Sequence, residues 1–145
     1  MSLFPAFPPE FLSGPWLLVA PIYTDADERD GIYLPGPATE LAAVTSWFDY
    51  FDGTYREGGS TLDGYPAPLW KLPLFVRGGA IVPTWPSRNH FDAAPNDEIV
   101  LEIWPDGISS FELYEDDGTS RAALRETLPA FAVTTFHLDS PEGRS

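Results

Sequence analysis

Carboxylates are the side chains of this sequence whose type and spacing first suggest chemistry. Glu115, Asp116 and Asp117 are consecutive and are followed by a glycine. Because adjacent carboxylates repel one another, this segment needs a turn, a neighbouring cation such as Arg121, or a bound metal ion. Calcium accepts several carboxylate and carbonyl oxygens, although the alternating acidic pattern of an EF-hand loop is missing here. The segment favours a turn or an arginine contact, with a calcium site as the alternative and no other cofactor indicated.

A catalytic carboxylate pair is a second kind of site to consider. Such catalysis needs two acidic side chains that face each other across the bond to be broken. With 22 Asp and Glu residues, chance pairs such as Asp49 and Asp52 are easy to find, and turns explain them. The histidines, His90 and His137, are isolated, so nothing indicates a zinc site. The sequence therefore predicts no catalytic residue.

Aromatic residues offer a third kind of site, because a ring face stacks on the CH face of a sugar. Trp85 lies between two prolines in a polar segment, so it is the aromatic residue that we most expect to be exposed and is the carbohydrate-stacking candidate. The other large aromatic residues are predicted to pack in a core, since small β-sandwiches need large side chains to fill them; they include Trp47, Phe48, Tyr50, Phe51, Tyr55, Trp70 and Trp104.

Charge and hydropathy exclude several classes of partner. A net charge of -14 argues against nucleic acid and anionic membranes, because phosphate binding needs clustered cations. The amino terminus lacks the basic region of a signal peptide, and the apolar run 16–22 is too short to span a membrane. We therefore expect a soluble chain, with its compartment undetermined.

Short strands must position these residues, because 16 prolines and 12 glycines in 145 residues are too many for long helices. The apolar runs 72–76 and 80–83 flank Arg77, Gly78 and Gly79, which predicts two strands joined by a glycine turn. An arginine between two buried runs needs partners, so Arg77 is expected to hold backbone carbonyls or a carboxylate.

The remaining strands complete the predicted architecture. Segments 99–104 and 109–114, separated by Pro-Asp-Gly, are predicted to form a β-hairpin. Segment 131–138 is predicted to be a final strand, and other strands are expected at 17–22, 32–35 and 47–51. The predicted fold class is all-β: an antiparallel β-sandwich followed by a partial second β-unit, with the break between residues 84 and 97.

Taken in order, several segments resemble the region after the catalytic barrel in glycoside hydrolase family 31, the α-glucosidase family. The segments are FLSGPWLLVAP at 11–21, IYLP at 32–35, WFDY at 47–50, KLPLFVRGGAIVP at 71–83, IWPDG at 103–107 and YEDDG at 114–118. The resemblance implies three regions: the end of a barrel-like segment at 1–22, a proximal β-sandwich at 23–88, and the start of a distal β-domain at 97–145.

The resemblance also implies a function. Family members are retaining α-glycosidases whose two catalytic aspartates lie in the barrel, and the motifs that bear them are absent here. The implied role is a non-catalytic C-terminal β-domain, in an enzyme of carbohydrate metabolism, that packs on the catalytic barrel and supports it. The alternative is a carbohydrate-binding β-sandwich module that uses exposed tryptophans, with carbohydrate rather than the barrel as its partner.

Overall fold

The structure is a computed structural model that describes residues 10–23, 27–37, 45–90, 98–116 and 131–140. These residues form thirteen strands and no helix, which confirms the predicted all-β fold class. None of them forms a helix long and apolar enough to cross a membrane. The strands are β1 (Phe11–Ser13), β2 (Leu17–Val19), β3 (Glu28–Arg29), β4 (Ile32–Leu34), β5 (Ser46–Asp49), β6 (Tyr55–Glu57), β7 (Ser60–Leu62), β8 (Tyr65–Pro66), β9 (Leu74–Arg77), β10 (Ala80–Thr84), β11 (Val100–Trp104), β12 (Ile108–Asp116) and β13 (Phe131–Asp139).

The chain divides into two compact units, Met1–Ala80 and Ile81–Ser145. The first unit contains an antiparallel sheet of five strands in the order β1-β2-β9-β5-β6. It also contains two antiparallel two-stranded ribbons, β3-β8 and β4-β7. Strands β1 and β2 come from the segment predicted to end a barrel, and here they pair within this sheet.

The core of the first unit lies between the five-stranded sheet and the ribbons. Leu18, Phe75 and Asp49 are directly opposite one another on β2, β9 and β5, so their side chains share one face of the sheet. Ile32 and Leu34 on β4 are fully buried beside them, whereas Tyr33 between them is exposed. Two layers with alternating inward side chains make a β-sandwich, as predicted.

The glycine pair after β9 is the bend that the sequence predicted. Gly79 has a φ of 83°, in the left-handed region that favours glycine. The backbone N–H of Gly78 donates to the carbonyl of Ser46 at 2.8 Å, which ties the bend to the start of β5. Gly78 and Gly79 therefore form the turn between β9 and β10.

The second unit has a different pairing from the predicted one. Strands occur where expected, but β11 pairs with β10, and β12 pairs with β13 over nine residue pairs from Ile108↔Asp139 to Asp116↔Phe131. The predicted hairpin between 99–104 and 109–114 is therefore wrong. Strand β12 has nine residues, and the backbone groups along one of its edges are all hydrogen-bonded only if its partner is equally long. Strand β13 also has nine residues, whereas β11 has five.

The second unit is also unevenly buried. Within 98–116 and 131–140, no described residue is buried, so these strands lack an enclosed apolar core of their own. A two-stranded ribbon is marginally stable in water and needs further strands or a packed layer. This agrees with the predicted partial second β-unit.

Gly58 gives a direct test of the packing in the first unit. A Cβ at this position would lie 2.6 Å from the carbonyl oxygens of both Pro35 and Thr45. We expect Gly58→Ala to lower the free energy of unfolding by about 2–3 kcal/mol, because backbone must move to admit the methyl group. Gly53→Ala is the control: its φ of 71° is strained but its surroundings are open, so the loss should be about 1 kcal/mol. Urea denaturation measures both, and equal losses would contradict the packing described.

Candidate functional site

The structure places Arg77 in solvent rather than between two buried layers. It is the last residue of β9, and its side chain is exposed although Phe75 and Val76 before it are buried. A solvated guanidinium needs no protein partner. The expected burial of Arg77 is therefore wrong, and its contact with carbonyls or a carboxylate stays a prediction. The backbone N–H of Arg77 donates to the carbonyl of Trp16 at 2.8 Å.

Trp85, the predicted stacking residue, is 46% exposed, which confirms that it is accessible. The guanidinium carbon of Arg88 lies 4.8 Å from the centre of its ring, so a cation covers one face. The prediction that Trp70 packs in the core is wrong, because this side chain is 74% exposed. Trp70 lies in a turn before β9.

The acidic segment ends β12. Glu115 and Asp116 are successive strand residues, so their side chains point to opposite faces of the ribbon. The hydroxyl of Tyr114 donates to Oδ2 of Asp116 at 2.9 Å. Asp117 and Arg121 lie outside the described residues. Where the structure is described, no group of three or more His, Cys, Asp or Glu is arranged to hold a metal ion, and calcium binding stays a prediction.

A buried polar cluster around Asp49 is the site that the sequence did not reveal. Asp49 ends β5 on the core face and is 1% exposed. Its carboxylate accepts a hydrogen bond from the Tyr65 hydroxyl at 2.5 Å and another from the Phe51 backbone N–H at 2.9 Å. The ammonium group of Lys71 lies 3.7 Å from Oδ2. We call Asp49, Tyr65 and Lys71 the Asp49 cluster.

The electrostatics of the Asp49 cluster keep its hydrogen bonds in place. Burial, reinforced by the hydrogen bond to Asp49 and by its negative charge, raises the pKa of Tyr65 well above its ordinary range. The hydroxyl therefore remains a donor to Asp49. The Lys71 ammonium group lies 4.4 Å from the centre of the Tyr65 ring and 5.3 Å from that of Phe51, so two rings and a carboxylate compensate its charge.

This arrangement positions backbone and does not provide a reactive carboxylate. Both oxygens of Asp49 are engaged, and its burial leaves no access for a substrate. The backbone of Asp49 also closes the following turn. Its N–H donates to the carbonyl of Thr54, and its carbonyl accepts a hydrogen bond from the N–H of Gly53, each at 2.9 Å. The cluster thus joins β5, the turn after it, β8 and the loop before β9.

Two sequence signals point to this cluster in retrospect. Asp49 stands two residues after Trp47 on one strand, so the two side chains share a face and the carboxylate must be buried with the tryptophan. Lys71 is the only lysine in the sequence, and it lies among apolar residues. A buried carboxylate requires a partner, and these signals together would have indicated Lys71.

An exposed apolar surface lies beside the Asp49 cluster. We call it the end patch; it consists of Tyr50, Phe51, Leu69, Trp70 and Leu72. The rings of Phe51 and Trp70 meet edge to face at 6.0 Å, and those of Tyr50 and Phe51 at 5.8 Å. The two loops that carry these residues therefore form one continuous surface.

The first unit is also similar in sequence to a known domain. Residues 6–82, more than half of the chain, match the domain described as the glycosyl hydrolase family 31 C-terminal domain. The chain belongs to glycosyl hydrolase family 31. This confirms the family that the sequence segments resembled, and the all-β architecture is the one expected of its C-terminal region.

Relatives in family 31 are much longer than this chain. The 1,6-alpha-glucosyltransferase of Sporosarcina globispora is 34% identical over 113 residues, which cover 76% of this chain and 8% of that protein. The alpha-xylosidase of Saccharolobus solfataricus is 31% identical over 112 residues, covering 77% and 14%. The crystal structure of a family 31 alpha-xylosidase from Xanthomonas citri superposes with a TM-score of 0.76 at 30% identity, covering 90% and 13%. The chain spans less than a sixth of each.

A double-mutant cycle tests the Asp49–Lys71 pair. Asp49→Ala should lower the free energy of unfolding by about 3–5 kcal/mol, since it leaves a buried ammonium group and a buried hydroxyl without their acceptor. Combined with Lys71→Met, the loss should be smaller than the sum of the two single losses by about 1–3 kcal/mol. The exposed Asp52, whose carboxylate caps Thr54, is the control; Asp52→Ala should cost only about 0.5–1.5 kcal/mol. Additive losses at Asp49 and Lys71 would show that the pair is not coupled.

The raised pKa of Tyr65 predicts a pH dependence of stability. Above pH of about 10, a tyrosine in the unfolded chain loses its proton while folded Tyr65 keeps it. Unfolding then releases a proton, so the free energy of unfolding falls as pH rises, by up to about 1.4 kcal/mol per pH unit from this residue. Tyr65→Phe should reduce that slope. Urea denaturation between about pH 8 and pH 11 measures it, and an unchanged slope in the variant would refute the prediction.

Proposed function

We propose that this chain serves as a non-catalytic supporting domain of a glycoside hydrolase similar to α-glucosidases. The observation that carries the proposal is the match of residues 6–82 to a C-terminal domain that makes up a small part of much longer relatives. The chemistry of the described residues agrees, because the one fully enclosed carboxylate, Asp49, is used to hold backbone. The role is mechanical: the domain packs on the catalytic barrel and stabilises it.

The exposed apolar surface supports this role. Several large side chains of the first unit are more than 40% exposed, among them Phe11, Leu12, Phe51, Leu69, Trp70 and Leu72. Burying apolar surface stabilises an interface by about 25 cal/mol per Å². Grouped exposed apolar residues on a soluble domain mark surfaces that another protein part covers. A neighbouring barrel in the same polypeptide would supply that cover.

The domain limits follow from the same proposal. The region 1–22 would be the end of a barrel-like segment, 23–88 the proximal β-sandwich and 97–145 the start of the distal β-domain. The matched residues 6–82 and the place of β1 and β2 in one sheet with β9 favour counting most of the first region with the sandwich. The proximal sandwich is thus the unit that stands next to the barrel in the sequence.

The parent enzyme would be a retaining α-glycosidase with its two catalytic aspartates in the barrel. The relatives named as a glucosyltransferase and as xylosidases act on α-linked sugars by name. The sugar substrate would then bind in the barrel of the parent enzyme, so the reaction would not require sugar stacking on Trp85. The guanidinium group of Arg88 lies over one face of the Trp85 ring, which weakens the alternative that sugar stacks there.

Assay of the purified chain with an aryl α-glucoside tests the absence of catalysis. We expect no release of the aryl alcohol above the buffer rate, because the motifs that bear the two catalytic aspartates of family 31 are absent from this sequence. A full-length family 31 enzyme assayed in parallel shows that the assay detects hydrolysis. Turnover that increases in proportion to the concentration of the purified chain would refute the proposal.

A further inference from the structure

The end patch groups five exposed apolar side chains of the first unit, and ring contacts join Tyr50, Phe51 and Trp70 within it. Leu69 is 103% exposed and Trp70 is 74% exposed, so both project from the loop before β9. Leu72 at 47%, Phe51 at 45% and Tyr50 at 38% complete the end patch. A fully exposed leucine beside a largely exposed tryptophan has the shape of an anchor that enters a pocket of a partner.

The Asp49 cluster holds this surface in one shape. Phe51 is fixed through its backbone N–H on the Asp49 carboxylate, and Lys71, between Trp70 and Leu72, points its ammonium group inward to the same carboxylate. A buried ion pair of this kind contributes little net stability, because desolvation offsets its Coulomb attraction. Its effect is to fix two loops relative to each other, and a preordered surface loses less conformational entropy on binding.

The chemistry of the end patch favours protein over sugar as its occupant. Leu69 and Leu72 are aliphatic and offer a sugar neither a ring face nor a hydrogen bond. The lysine and the aspartate that would contact hydroxyl groups are turned into the domain, with side chains 12% and 1% exposed. Aromatic residues around a projecting leucine, with the nearby charges turned inward, are typical of the centre of a protein interface.

We propose that the end patch is the surface through which the unit Met1–Ala80 docks on the catalytic part of the same polypeptide. This inference rests on the proposed function. The length of the relatives indicates what covers the end patch, because more than five-sixths of each family 31 relative lies outside the part matched by this chain. The facing surface would be apolar, with a recess that admits Leu69 and Trp70.

The test uses a full-length chimera in which the alpha-xylosidase of Saccharolobus solfataricus carries this chain in place of its own matched segment. Backbone hydrogen exchange of peptides covering 50–54 and 67–73 is compared between the chimera and this chain alone. We expect exchange in these peptides to be at least about tenfold slower in the chimera, because docking suppresses local opening. Leu69→Asp should abolish that protection in the chimera and leave the melting temperature of the isolated chain unchanged. Tyr33→Asp, an exposed ring on the outer side of β4, is the matched control and should leave the protection intact.

The possible results separate the surface from the function. Protection confined to another segment, such as β1, would overturn the end patch while the supporting role stands. No protection anywhere in the chain would overturn the proposed function as well. Protection of the isolated chain that grows with its concentration would identify a second copy as the occupant and overturn the inference. If the chimera does not fold, the test uses the full-length alpha-xylosidase with aspartate at the residue aligned with Leu69. We expect this variant to melt at a lower temperature than the unchanged enzyme. An unchanged melting temperature would contradict docking through this surface.

Discussion

The burial of Asp49 on the core face of the sandwich is the constraint on which the arrangement of the first unit depends. A carboxylate at 1% exposure must have its charge compensated and its oxygens hydrogen-bonded, or the domain loses several kcal/mol. Tyr65, the Phe51 backbone and Lys71 meet that requirement, and each comes from a different segment. Satisfying one charge therefore joins a strand, a turn, a ribbon and a loop.

That constraint links the core to the surface. Two of the segments that reach Asp49, the turn with Phe51 and the loop with Lys71, also carry the exposed aromatic and aliphatic residues of the end patch. A purely apolar core would hold the strands equally well but would leave the two loops free to move relative to each other. The polar cluster thus gives a structural role to a buried aspartate, lysine and tyrosine in contact.

The described residues of the two units differ in how far they are buried. The first has an enclosed core between a five-stranded sheet and two ribbons. The described strands of the second have no buried residue from 98 onward, although β12 and β13 pair along their whole length. Backbone pairing alone does not stabilise a ribbon in water, since it buries little apolar surface. The relatives in family 31 are many times longer than the part matched by this chain.

Local pattern determined the fold class, the glycine bend at Gly79 and most strand positions, because strand propensity, alternation and the need for positive φ are properties of neighbouring residues. Order and spacing of short motifs also determined the family. Pairing was decided only in the tertiary structure: β12 takes β13 rather than β11, since strand partners are chosen by length and burial across the whole unit. The same holds for Arg77 in solvent, Trp70 on the surface and Lys71 against Asp49. Whether a side chain is enclosed depends on layers that come from distant parts of the chain, and no local window contains that information.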